Sequence, residues 1–143
     1  MIEINRSALL PYPAQKVYGL INDVAAYPEF MDGCVGVEIL MADEQQMEAR
    51  LDLAKAGLQH SFTTRNTLQP PHTVKMELVD GPFESFTGLW TVTPLSDDAC
   101  KVVLQLEFTL SNRVLGLAAK ALFNPMADNL VDALVKRAHK LYQ

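Results

Sequence analysis

From Val35 to Phe108 apolar and polar positions alternate. Met47, Ala49, Leu51 and Leu53 share one parity, with Glu48, Arg50 and Asp52 between them. Val74, Met76 and Leu78 alternate with Lys75 and Glu77, and Val102, Leu104, Leu106 and Phe108 with Lys101, Gln105 and Glu107. Period two with one wet and one buried face predicts antiparallel strands. Gln69-Pro70-Pro71-His72, Asp80-Gly81-Pro82 and Ser96-Asp97-Asp98 supply the turns between them. The pattern is helical on either side. Val17, Leu20, Ile21 and Val24 predict a helix over 14–24, started by Pro13 after an opening strand, and Tyr27, Phe30 and Met31 predict a second short helix or turn. A last helix is expected from Asn112 to Tyr142, capped by Ser111 or Asn112, with Leu115, Leu122, Met126, Leu130, Leu134, Ala138 and Leu141 as its apolar stripe. Pro125 predicts a kink there, or two helices that meet.

Thirty helical residues extend ~45 Å, more than the ~33 Å of a ten-residue strand. Such a helix can cross the concave face of one curved sheet. The expected architecture is therefore α+β, a helix-grip fold. A curved antiparallel sheet wraps around a long C-terminal helix, and two short helices follow the first strand. No linker or repeat divides residues 1–143, so one domain is expected.

Composition narrows the function. The net charge is −5, which gives no general support for binding phosphate backbones, so DNA is not an expected partner. The start MIEINRSALL has no signal-peptide pattern. The longest nearly apolar run, Val114 to Phe123, carries Lys120 and is too short for a bilayer. Cys34 and Cys100 have no metal spacing and read as free thiols of a cytoplasmic protein. His72 and His139 stand apart from other ligand types, so no metal is expected. There is no Gly-rich phosphate loop, HExxH or GxSxG. The inward positions offer no acid/base pair, so we expect no enzyme and no cofactor.

Parity places Phe62, Met76, Leu78, Phe86, Trp90, Leu106, Leu122, Met126 and Leu130 inside. They read either as a filled core or as the wall of a tunnel between sheet and helix, with Met suited to an adaptable wall. Thr64, Asn66 and His60 share the parity of Phe62. Buried there, they need hydrogen-bond partners, in the core or on the polar head of a ligand. Arg65 has the opposite parity and reads as a surface ion-pair partner. Trp90 reads as a packing anchor or a ligand donor.

The residues from Arg6 to Phe30 (RSALLPYPAQKVYGLINDVAAYPEF), Phe62 to Leu68 (FTTRNTL), Leu78 to Leu95 (LVDGPFESFTGLWTVTPL), and the later FTLSNRVL and VDALVKRA resemble the bacterial RatA and coenzyme Q-binding protein family. That family belongs to the START-like superfamily of lipid carriers and polyketide cyclases. The resemblance spans nearly the whole chain. Met31-Asp32 and Leu134 depart from it, where relatives often carry Leu-Pro and Phe. It implies a hydrophobic tunnel, a ubiquinone-like isoprenoid quinone or another lipid as ligand, and a role supporting respiration at or near the inner membrane. It also implies an alternative, a toxin that acts on the large ribosomal subunit to block ribosome association. A polyketide cyclase-like enzyme is a distant third.

Two expectations concern surfaces. Pro82 and Phe83 stand at a hairpin tip, where polar residues are usual. Phe83 either covers the core edge or joins Leu115 and Leu117 in an exposed apolar patch at the tunnel mouth. A quinone is nearly insoluble, so a carrier must touch the bilayer, and the exposed patch is the sharper expectation. For the ribosome, Lys136, Arg137, His139 and Lys140 are the densest cations, and we expect that they cannot all share one helix face. Ribosome binding is then expected to be weak and strongly salt-dependent.

Overall fold

A computed structural model describes residues 2–55, 58–70, 72–81, 83–110 and 116–142, with side chains for all of these except 55, 58, 110 and 116–128. Strand β1 (Ile2–Leu10) leads into helix α1 (Ala14–Asn22) and a 3₁₀ helix (Val24–Glu29). Six strands follow: β2 (Cys34–Ala42), β3 (Gln46–Lys55), β4 (Leu58–Gln69), β5 (Thr73–Asp80), β6 (Phe83–Ser96) and β7 (Ala99–Leu110). Helix α2 (Gly116–Tyr142) closes the chain. The sheet order is β1-β7-β6-β5-β4-β3-β2, antiparallel throughout. Hairpins link β2 to β7 in turn, and β1 returns to pair with β7, from Ile2 opposite Phe108 to Leu10 opposite Cys100.

The α+β helix-grip architecture expected from the periodicity is the one observed. Helix α2 packs on β1 and β7 and also reaches β3, at the other side of the sheet. One helix can touch both only if the sheet curls around it. Pro13 caps α1, its carbonyl accepting from the Lys16 and Val17 amides at 3.0 and 3.2 Å. Pro28 lies inside the 3₁₀ helix. α2 is one helix through Pro125, not two. The proposed caps Ser111 and Asn112 lie outside the described residues.

Hydrogen bonds tie the helices to the sheet. Tyr18 donates to the Thr73 carbonyl at 2.9 Å, joining α1 to β5. Tyr142 donates to the Lys16 carbonyl at 3.3 Å, and the Tyr12 hydroxyl lies 2.6 Å from His139 Nδ1. The end of α2 is thereby fixed against the chain's beginning. Val17, Leu53, Val102, Leu104 and Phe108 are fully buried between the layers. Cys34 and Cys100 are buried free thiols.

Three bulges matter. Leu40 is an extra residue on β2, between the pairs Ile39–Ala49 and Met41–Glu48. Val79 is extra on β5, between Thr63–Asp80 and Thr64–Leu78. Glu84 is extra on β6, between Phe83–Leu110 and Ser85–Thr109. Each shifts the inside/outside alternation by one residue.

Candidate functional site

The sheet register sets the site. One row of facing residues runs Met47–Asn66–Met76–Gly88–Leu106–Ile4 across six strands. Gly88 has no side chain to fill its place. A Cβ there would lie 2.5 Å from Met76 Cε and 2.7 Å from Leu106 Cδ2, so both side chains already lean into the gap. What remains between sheet and helices is a hollow of about 60 Å³.

Its wall is apolar and comes from every layer. Ile21, Val24, Tyr27 and Met31 close it from α1 and the 3₁₀ helix, and Leu130 from α2. The sheet supplies Ala49 and Leu51 from β3, Phe62, Thr64 and Asn66 from β4, and Val74 and Met76 from β5. Phe83, Phe86 and Trp90 come from β6, and Leu106 and Phe108 from β7. Of the expected tunnel residues, the structure brings together Phe62, Thr64, Asn66, Met76, Phe86, Trp90, Leu106 and Leu130. Leu78 is not on the wall. It pairs with Thr64 and keeps the inward parity of Val74 and Met76, but it lies by the β5–β6 turn, where a Cβ on Gly81 would meet Leu78 Cδ1 at 3.4 Å and Phe62 Cβ at 2.7 Å. Gly81 is needed for that close approach. Pro82 and Leu115 lie outside the described residues, as do the side chains of Leu117, Leu122 and Met126.

The expected exposed patch at Phe83 is corrected. Phe83 is only 8% exposed. The Glu84 bulge turns it to the same face as Phe86, although their positions differ in parity. Phe62, Phe83, Phe86 and Phe108 form one aromatic cluster, with Phe83 centroids 5.7, 5.3 and 5.6 Å from the other three. The aromatic residues of the hairpin tip are therefore core, and close one end of the hollow.

Two polar residues stand on this wall, Thr64 at 3% and Asn66 at 6% exposure. Thr64 Oγ1 donates to Asn66 Oδ1 at 3.1 Å. His60, grouped with them by parity, lies instead at the far end of β4, in a surface pocket with Val35, Asp52 and Ser61. Tyr27 is the wall's one ionisable side chain among the described residues. Its hydroxyl donates to the Ile21 carbonyl. Burial, then the nearby Asp23 and Cys34, push its pKa well above the usual phenol value. Such a phenol stays protonated and engaged. Burial likewise raises the Cys34 and Cys100 thiols, which makes them poor nucleophiles.

The α1 and 3₁₀ wall residues were absent from the sequence-based site. Tyr27 and Met31 marked only a short helix or turn, and nothing in their spacing shows that they face a hollow. Ala49 and Leu51 had the inward parity and could have been included on that signal.

A second feature lies on the surface. A groove of about 370 Å³ runs between the 3₁₀ helix and α2. Lys136, Arg137 and Lys140 line it from α2, with Asp132, and Glu29 and Asp32 line it opposite. So three of the four late-helix cations do share one groove, and His139 turns away to Tyr12. Arg137 pairs with Glu29 at 3.6 Å and stacks over Phe30, 5.3 Å from the ring centroid. On the sheet's outer face Arg65 pairs with Glu48 at 3.0 Å, as its parity suggested. No helix of the described residues is long and apolar enough to cross a membrane.

Known proteins resemble this chain in sequence and in fold. The chain is 44% identical over 142 residues to the ribosome association toxin RatA of Vibrio cholerae, covering 99% of each chain. It is 23% identical over 139 residues to a mitochondrial coenzyme Q-binding protein of Drosophila melanogaster, covering 94% of this chain and 57% of that one. In structure it resembles the ZhuI aromatase/cyclase of Streptomyces sp. R1128, with TM-score 0.85, 19% identity, and coverage of 99% and 96%. At that identity the likeness concerns the fold. Residues 10–135 match the family described as polyketide cyclase/dehydrase and lipid transport, and with nearly the whole chain aligned on both sequence and fold, the protein belongs to that family.

Proposed function

We propose that the protein acts on ribosome association, as the RatA-named relatives do by name, and that it works without catalysis. The observation that carries this is end-to-end similarity, 44% identity across 99% of both chains. The groove between the 3₁₀ helix and α2 is a suitable contact, because it gathers Lys136, Arg137 and Lys140 on one wall. Carboxylates balance them, which fits modest affinity with marked salt dependence. The large ribosomal subunit is the proposed partner, and the cytoplasm the place of action. The non-catalytic reading is supported by the hollow's wall, whose one ionisable group among the described residues is the engaged Tyr27. Sucrose-gradient profiles with purified protein test the proposal. Added at low salt, the protein should deplete 70S ribosomes and raise free subunits, and about 200 mM salt should weaken the effect. Unchanged 70S peaks at a large molar excess would overturn it.

The hollow favours a second, compatible reading, that the protein holds an apolar ligand such as an isoprenoid quinone. The apolar wall and the coenzyme Q-binding relative support it. At about 60 Å³ the space is too small for a long tail. Tail entry then requires α2 to move away from the sheet. Burying each CH₂ would contribute ~0.8 kcal/mol toward that opening. Mass spectrometry of co-purifying lipids tests this reading, and an empty extract from gently lysed cells would count against it. Membrane contact through Phe83 is withdrawn, since the ring is core.

A further inference from the structure

The hollow contains one arrangement that packing does not require. We propose that Asn66 selects the ligand by its chemistry, donating a hydrogen bond from its side-chain amide to a single carbonyl or ether oxygen on a ring-sized apolar molecule. It rests on the second reading above, that the hollow takes an apolar ligand.

Asn66 is the one polar side chain in the row that crosses six strands, with Met47 and Met76 as its cross-strand neighbours. It is 6% exposed and lies on the wall of the hollow. Its Oδ1 accepts from Thr64 Oγ1 at 3.1 Å. The amide nitrogen has two N–H donors and no hydrogen-bond partner among the described residues. The nitrogen is not among the fully buried unpartnered atoms, so it remains within reach of a molecule in the hollow, whereas a Leu of similar shape would offer no donor there. Among the described residues the wall is otherwise apolar, apart from Thr64, the engaged Tyr27 and the Trp90 indole. Thr64 acts as a positioning residue, because in this arrangement its hydroxyl engages the amide oxygen and the nitrogen is left over. The ligand must then bring an acceptor. At about 60 Å³ the hollow is smaller than a benzene-binding cavity of ~150 Å³, so a ring enters only as the flexible ends of Met76 and Leu106 withdraw from the gap at Gly88, and the acceptor must sit on or beside that ring.

The test uses an isosteric pair of probes, acetophenone and isopropylbenzene, which differ in a carbonyl against a branched carbon. Binding is followed by NMR through the indole N–H of Trp90, the chain's one tryptophan and a wall residue. The readout is the ratio of the two Kd values in wild type and in Asn66→Leu. The proposal expects Asn66→Leu to cut the preference for acetophenone about three- to tenfold, the effect of one hydrogen bond, while isopropylbenzene binds as well or better. The double variant Thr64→Val with Asn66→Leu leaves no unpaired polar atom and guards against misfolding of the single variant. It should show the same loss of preference with undiminished melting temperature. If both probes bind the wild type and the ratio does not change in either variant, Asn66 is a structural residue, and this inference fails while the cavity reading stands. If neither probe shifts Trp90 in wild type at millimolar concentration, the cavity reading fails, and this inference with it.

Discussion

Phe83→Ala separates a core ring from a surface one. In the structure the ring is almost wholly buried and touches three other Phe rings. Truncating a buried Phe to Ala costs about 3–5 kcal/mol, made up of lost transfer energy and the cavity left behind. Part of this ring already faces the hollow, so its removal enlarges an existing space rather than opening a new one. The Gly81 turn packs against Phe62 beside it, which limits collapse into the gap. The expected loss is therefore at the low end, about 3 kcal/mol. For a chain of this size that corresponds to a fall in Tm of roughly 10 °C. Urea denaturation followed by Trp90 fluorescence measures it, with Phe83→Leu as a milder control at about 1 kcal/mol. A loss under about 0.5 kcal/mol, the usual range for surface positions, would mean that the ring lies in solvent. The bulge-driven inward turn of Phe83 would then be wrong, and the exposed tip would return as an explanation.

Other outcomes follow from the same wall. Gly88→Ala should push Met76 and Leu106 into the hollow, costing about 1–2 kcal/mol because both obstructing atoms are flexible ends; it should also weaken isopropylbenzene binding, and unchanged binding would show that the gap at Gly88 does not shape the site. Leu130→Trp should fill the hollow from α2 at about 1–3 kcal/mol, abolishing probe binding without loss of the folded circular-dichroism spectrum. Stability should depend on alkaline pH. Cys34, Cys100 and Tyr27 all have folded pKa values above their ordinary 9.0 and 10.0, so the unfolded chain releases protons first. Their contribution is complete below pH 9 and is lost as pH rises through 9 and then 10. The urea midpoint should be flat from pH 6 to 8 and fall toward pH 10, and Cys34→Ala with Cys100→Ala should remove the earlier part of that fall.

The layer architecture was legible because it rests on period. Strands β3 and β7 alternate without interruption, so Ala49, Leu53, Leu104 and Phe108 could be placed inside from the sequence. The site was legible only where that alternation held. Phe62, Met76, Trp90 and Leu106 follow it and reach the wall. Phe83 does not, because Glu84 inserts one residue, and Leu78 keeps the alternation but sits by the turn, off the wall. A bulge depends on how two strands settle against each other, and one strand's sequence carries little sign of it. The size of the hollow was also hidden. It depends on the gap above Gly88 and on how far Met76 and Leu106 lean into it, which is a property of the packed row and not of any residue alone. The groove cations show the same limit from the other side. Lys136, Arg137, His139 and Lys140 were expected not to share one face, and the 3₁₀ helix opposite draws Lys136, Arg137 and Lys140 into one groove while His139 turns to Tyr12.

The pairing of β1 with β7 has a consequence for how the chain is made. β1 is synthesised first, yet its partners lie about a hundred residues later, Ile2 opposite Phe108. At ~5–20 residues per second the opening strand waits roughly 5–20 seconds for its place in the sheet. Ile4 and Leu10, both buried in the finished protein, stay uncovered during that interval. The hairpins from β2 to β7 can form as they emerge, since each needs only its neighbour, whereas β1 and the Tyr12–His139 contact must wait until the end. The domain therefore closes last at β1, and any factor that shields an unpaired strand has its longest opportunity there.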